Sequence, residues 1–231
     1  MSIDNFEISS PDARTLSEGV VGRLRADILN GDFAPGEKLA MATLTARYGV
    51  GMSPVREALS RLVGEGLVQA EGQRGFRVSQ MSREDFDEII VLRQMVEEAA
   101  VRAAIAKGDD QWEAALVAAF HLLERRASAM AEGTSAALLD AYETAHKAFH
   151  VAIVAGAGSK RLSRMQLRLY EEARRYRLLF YRQHFVGKAP DAATIAVHRE
   201  ILVALLARDV DQATAILRSH VTLIGDFEAS P

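Results

Sequence analysis

The chain has 231 residues, of which 49% are hydrophobic and 26% charged, and a formal net charge of −3; this is room for two ordinary domains, each with its own core. It contains no cysteine, which excludes disulfides, thiolate metal sites and cysteine nucleophiles and fits a cytoplasmic protein. No apolar run approaches the roughly 20 residues of a membrane span, and Met1 to Arg14 is polar and carries acids, so neither membrane insertion nor secretion is expected.

In chain order, residues 1–14 read as a disordered lead. Val20, Val21, Leu24 and Ile28 then mark an amphipathic helix that ends at Asn30-Gly31. Asp32 to Lys38, with Pro35-Gly36, forms a turn, and Leu39 to Tyr48 makes a second helix with Leu44 and Tyr48 inward. The third helix is expected to start at Ser53, whose hydroxyl can cap the first turn, with Pro54 at the first helical position. Gly64 and Gly66 stop it, and two short strands follow, about Leu67 to Ala70 and Gly75 to Ser79, joined by Glu71-Gly72-Gln73-Arg74. Three helices followed by a hairpin make a winged helix-turn-helix over residues 15–80.

The third helix carries the functional signal. Val55, Leu59 and Leu62 fall at i, i+4 and i+7 and must be buried, while Ser53, Arg56, Ser60 and Arg61 face outward. A helix anchored from behind, with a hydroxyl and arginines near its N-terminal end, suits the major groove of double-stranded DNA. Net charge alone would not suggest this, because residues 1–80 hold 9 basic and 10 acidic side chains. Locally the balance changes, with six basic residues against three acidic ones between Lys38 and Ser79. Arg74 and Arg77, beside Gly75, put positive charge on the wing, where it can meet the DNA backbone or minor groove. The candidate DNA-contacting residues are Arg47, Met52, Ser53, Pro54, Arg56, Arg61, Arg74, Gly75 and Arg77.

Residues 81–231 show only helical periodicity, giving an all-helical bundle of about six helices at roughly 83–107, 110–131, 135–156, 159–186, 191–207 and 209–227. The fold class is therefore mainly α. Ser82, Asp109, Ser159, Asp191 and Asp209 stand at helix starts as capping residues. His150, His198 and His220 occupy apolar stripes on three different helices. Burying an imidazole without a partner costs about 1–3 kcal/mol, so each needs one. Either separate core hydrogen bonds or one shared divalent ion satisfies them, and His146, four residues before His150, projects from the same side as a fourth ligand. His121 and His184 show no such relation.

Arg93 lies on the inward face of its helix, between Ile90 and Val96. It can pair with Glu97 at i+4, or it can offer a fork to a carboxylate ligand. The arginines of the fourth bundle helix, Arg164, Arg168, Arg174, Arg175, Arg177 and Arg182, read as a solvated or interdomain face rather than a second nucleic-acid site.

From about Leu16 to Leu223 the chain resembles the GntR family of bacterial transcription regulators, in the branch similar to the fatty-acid regulator, with a C-terminal FCD domain. The resemblance rests on Pro35-Gly36, on Ser53-Pro54-Val55-Arg56-Glu57-Ala58-Leu59 and on Gly64-Glu65-Gly66-Leu67-Val68. In the second domain it rests on Ala148-Phe149-His150, Gly158-Ser159-Lys160-Arg161-Leu162, His198, Arg208-Asp209 and His220. It implies a homodimer that binds a palindromic operator and senses a small organic acid in a metal-containing bundle. It also implies His150, His198 and His220 as metal ligands and Arg93 as the residue that meets the effector carboxylate.

Two positions depart from the family pattern. The family usually has aspartate where this chain has His146, and an imidazole there favours a borderline divalent ion such as Zn or Ni over Mg or Mn. Before the recognition helix the family often reads Ser-Arg-Thr, whereas this chain has Gly51-Met52-Ser53, which shifts recognition toward Arg56. The expected function is thus a metabolite-responsive regulator, a repressor by family habit. The alternatives are a regulator that responds to the metal itself and a histidine-ligated metallohydrolase with Glu143 as its only nearby base.

Overall fold

A computed structural model of the chain describes residues 13–131, 135–184 and 192–222. Two compact units divide at Met81 and Ser82. The first contains α1 (Ala13–Leu29), α2 (Met41–Tyr48), α3 (Met52–Gly64), β1 (Val68–Ala70) and β2 (Phe76–Val78). The strands are antiparallel, with Val68 opposite Val78, Gln69 opposite Arg77 and Ala70 opposite Phe76. A 3-10 turn at Gly72–Arg74 closes the hairpin. The core joins Val20, Val21, Leu24 and Ile28 of α1 to Leu44 and Tyr48 of α2 and to Val55, Leu59 and Leu62 of α3.

Three expectations for this unit need correction. The first helix starts at Ala13, so the last two residues of the expected lead are helical, and residues 1–12 lie outside the described residues. The second helix starts at Met41 rather than Leu39, because the Leu39 N–H donates to the Phe76 carbonyl at 2.8 Å and ties this segment to the hairpin. The third helix starts at Met52: Gly51 is the cap residue, extended at φ −70° and ψ 174°, and no side chain caps the helix. Ser53 and Pro54 are therefore its second and third residues. Proline costs nothing there either, since none of the first N–H groups of a helix has a partner within it.

The second unit contains α4 (Arg83–Lys107), α5 (Asp110–Ala131), α6 (Ala136–Ala155), α7 (Lys160–His184), α8 (Ala192–Leu206) and α9 (Val210–Thr222). The hydroxyl or carboxylate of Ser82, Asp109, Ser159 and Asp209 accepts the N–H three residues on, as the sequence suggests, and Ser135 does the same. Asp191 and residues 223–227 of the last expected helix lie outside the described residues.

In this unit α4 packs on α6, α7 and α9, and α5 packs on α6 and α8. At one end Trp112 locks the bundle, its Nε1–H donating to the Ala152 carbonyl at 3.0 Å. Arg208, at φ 56°, stacks over that ring and donates to the carbonyls of Ile105 and Gly108. This packing fixes the inward stripes of α4, α6, α7, α8 and α9, which carry the polar residues described next. None of the described helices is long and apolar enough to cross a membrane.

Candidate functional site

On α3, Val55, Ala58, Leu59 and Leu62 are buried, which leaves Met52, Ser53 and Arg56 exposed on the opposite face. Arg56 and, on the wing, Arg74 make no side-chain hydrogen bond or ion pair among the described residues. Gly75 adopts φ 101°, a conformation that favours glycine. The other three candidate arginines are already matched by acids. Arg47 pairs with Asp27 at 2.8 Å and Asp32 at 2.6 Å, Arg61 with Glu57 at 2.7 Å, and Arg77 with Glu71 at 2.7 Å. Arg77 also donates to the Gly36 carbonyl, so it braces the wing against the turn before α2. The uncompensated positive charge of the candidate set is therefore concentrated at Arg56 and Arg74.

In the second unit His146 and His150 of α6, His198 of α8 and His220 of α9 meet in one place. One ring nitrogen from each lies within 4.8 Å of the others. His146, His150 and His198 are buried, and His220 is half-buried with its Nδ1 enclosed. His150 Nε2, His198 Nε2 and His220 Nδ1 are sealed from solvent without a hydrogen-bond partner. His198 Nδ1–H donates to the Thr194 carbonyl at 2.7 Å, which leaves its Nε2 with a free lone pair. His146 differs, because its Nδ1 lies 2.6 Å from the Tyr170 hydroxyl.

The electrostatics keep these rings neutral. Burial holds the His146, His150 and His220 pKa values well below their usual range, and neighbouring imidazoles and guanidinium groups push the same way. Burial likewise lowers His198 to about 4, against the opposing pull of its bond to Thr194. Neutral imidazoles with free lone pairs are what a divalent metal requires.

Two buried arginines border the cluster. Arg93 donates through Nε and Nη2 to Glu97 Oε1 at 3.1 and 2.8 Å, so the intrahelical pair allowed by the sequence is formed. Its guanidinium lies 5.6 Å from the centre of the Tyr170 ring. Arg177 corrects the expectation of a solvated arginine face on α7. It is buried and donates to both oxygens of Glu143, at 3.1 and 2.7 Å, and to the Tyr170 hydroxyl at 2.9 Å. Arg175 is buried too, while Arg164 and Arg168 are exposed; the side chain of Arg182 lies outside the described residues, as does that of His184. The inward role of Arg177 was readable from its spacing of seven from Tyr170 and four from Ala173, both buried. Glu143, the candidate base of the hydrolase alternative, is held in this ion pair and in a second with Arg174.

Two family models match the chain in succession, the gntR family of bacterial regulatory proteins over residues 16–78 and the FCD domain over residues 88–223. Over 198 residues the chain is 41% identical to the HTH-type transcriptional repressor GlaR of Escherichia coli (strain K12), across 86% of this chain and 89% of that protein. The chain belongs to the GntR family. This GntR-family regulator is also 36% identical over 224 residues to the HTH-type transcriptional regulator BphR of Paraburkholderia xenovorans (strain LB400), covering 94% of this chain and 88% of that one. Its fold matches the solved structure of E. coli McbR/YncC with a TM-score of 0.71 at 23% identity, over 90% of this chain and 93% of that chain. It is thus a DNA-binding transcription regulator with an FCD domain, and its relatives are regulators rather than enzymes.

Proposed function

We propose that this regulator represses transcription by binding a palindromic operator as a homodimer, and that a small carboxylate bound beside a metal ion in the FCD domain changes its operator affinity. Arg56 and Arg74 are the DNA contacts this reading relies on most, because their charge is uncompensated. The observation that carries the sensory half is the set of three enclosed imidazole nitrogens with no partner, drawn from three helices to one point. His150, His198 and His220 would hold the ion, and Zn or Ni suits an all-imidazole donor set. A bound ion would supply Lewis acidity toward an oxygen ligand. The chain itself supplies neutral donors, a dry wall and the nearby guanidinium groups of Arg93 and Arg177. A ligand shifts the dimer between operator-binding and released geometries only by its difference in affinity for the two.

A second reading, that the metal alone is the signal, has its own support. Both pocket arginines already hold a carboxylate of the chain, Glu97 for Arg93 and Glu143 for Arg177. An effector acid must displace or share those partners. Fluorescence anisotropy of a duplex selected from a random pool separates the two readings, using apo, zinc-loaded and nickel-loaded protein with and without a panel of mono- and dicarboxylic acids. The carboxylate reading predicts a change in operator affinity only when metal and acid are both present. A full response to metal alone would support the second reading, and no response to any combination would refute both.

A further inference from the structure

The geometry points to His146 as a hydrogen-bond donor beside the metal-binding rings rather than a fourth ligand, with Tyr170 and Arg177 setting its tautomer. The inference rests on the proposed metal-and-carboxylate reading for its role, though not for its chemistry. A guanidinium can only donate, so the contact of 2.9 Å between Arg177 Nη2 and the Tyr170 oxygen fixes that oxygen as acceptor. The hydroxyl hydrogen of Tyr170 then needs an acceptor of its own. Tyr170 is 1% exposed, and among the described residues its only other hydrogen-bond partner is His146 Nδ1 at 2.6 Å. The Tyr170 O–H therefore donates to Nδ1, and a neutral His146 carries its hydrogen on Nε2. One lone pair is taken by Tyr170 and the other position holds a hydrogen, so His146 offers a metal nothing.

The opposite tautomer would make Tyr170 accept from both Arg177 and His146 and would strand a buried hydroxyl hydrogen without an acceptor. The chain Arg177 to Tyr170 to His146 thus runs donor to acceptor at each step and ends on an N–H in the cluster. The His146 ring lies 4.6, 4.8 and 6.0 Å, centre to centre, from those of His150, His198 and His220. An N–H at that place recognises an occupant with an oxygen lone pair, either a carboxylate or a metal-bound water, and leaves a metal coordination position for that oxygen. His146 is then a specificity-determining residue, and Tyr170 and Arg177 are positioning residues.

Nitrogen-15 NMR of histidine-labelled full-length protein reads the tautomer directly, with His146→Gln assigning the resonance. The expected result is His146 as the Nε2–H form in apo protein, unchanged when zinc is added, while zinc alters the resonances of His150, His198 and His220. An Nδ1–H form in apo protein, or a switch to it on zinc loading, would overturn the proposal. Zinc competition with a chromogenic chelator supplies the second readout, using Tyr170→Phe and His146→Gln. The donor role predicts a change of less than fivefold in zinc affinity for either variant. If Tyr170 instead supported a ligating His146, its loss would weaken zinc by about 10- to 100-fold, the usual effect of removing an outer-sphere partner, and any loss of fivefold or more overturns the proposal. Failure of wild type to take up zinc would refute the metal reading alone, since the apo tautomer would still decide the donor chain.

Discussion

Acidification from pH 7.5 to pH 5 should destabilise the apo FCD domain selectively. His198 titrates at about 4 in the folded chain against its usual 6.5, so between these values the unfolded chain binds the proton and the folded chain does not. A depressed histidine of this kind leaves stability intact above its unfolded pKa and lowers it as pH falls below. At pH 5 the linkage relation gives a loss of about 2 kcal/mol from His198 alone. His146, His150 and His220 are depressed in the same direction, chiefly by burial, and act in the same sense. Against a typical domain stability of about 5–15 kcal/mol, a loss of this size should be plain in the urea midpoint of the apo sensor domain. The chain has one tryptophan, Trp112, in the core of this unit, so its fluorescence in urea titrations follows this domain alone. Zinc loading should raise the urea midpoint at each pH from 7.5 to 5 without removing its fall on acidification, because the folded rings carry no proton for the metal to displace and the unfolded histidines still take theirs up. A urea midpoint that stays constant from pH 7.5 to 5 in apo protein would show that the rings are not held neutral, and the derivation of the site would fail.

Arg56→Ala should weaken operator binding by about 1–3 kcal/mol per lost bidentate base contact, whereas Arg61→Ala, whose charge is offset by Glu57, should do less; equal affinities for Arg56→Ala and wild type in anisotropy titrations would remove α3 as the recognition element. Glu143→Ala strips the carboxylate from the buried Arg177 and should cost about 3–5 kcal/mol of FCD-domain stability in the same urea assay, and a loss under 1 kcal/mol would mean that this pair is solvated. At Gly156 an added Cβ would lie 2.7 Å from Trp112 Cε2, so Gly156→Ala should cost about 1–3 kcal/mol and shift the Trp112 emission; an unchanged midpoint and spectrum would show that the ring is not seated there.

Much of the architecture was legible because the relevant signals are local. The caps at Ser82, Asp109, Ser159 and Asp209 state where helices begin, and the spacing of Val55, Leu59 and Leu62 states which face of α3 is buried. The cap of α3 was displaced by two residues, from Ser53 to Gly51, because a serine followed by proline satisfies the first turn in more than one register, and Gly51 takes the cap without a side chain. In the site, three imidazoles on apolar stripes, with His146 one turn before one of them, each called for a partner, but separate hydrogen bonds and a shared point satisfied that need equally until the fold brought the four rings together. Arg177 escaped because a helix with many arginines reads as a solvated face. Its spacing from Tyr170 and Ala173 marks the inward stripe, but its partner Glu143 lies 34 residues earlier on α6, and that pairing has no local signature. The same holds for Tyr170, whose hydroxyl joins residues of two helices. The acids that neutralise Arg47 and Arg77, Asp27, Asp32 and Glu71, were visible as charges, but their partners became evident only in the fold.

The most direct test of the sensor site is elemental mass spectrometry of purified wild type beside His150→Ala/His198→Ala, each dialysed and then exposed to zinc or nickel. About one ion per chain in wild type and none in the variant is the result that the three unpartnered imidazole nitrogens predict. A wild type that stays empty after exposure to both metals would contradict the account and turn the search toward effectors held by hydrogen bonds alone.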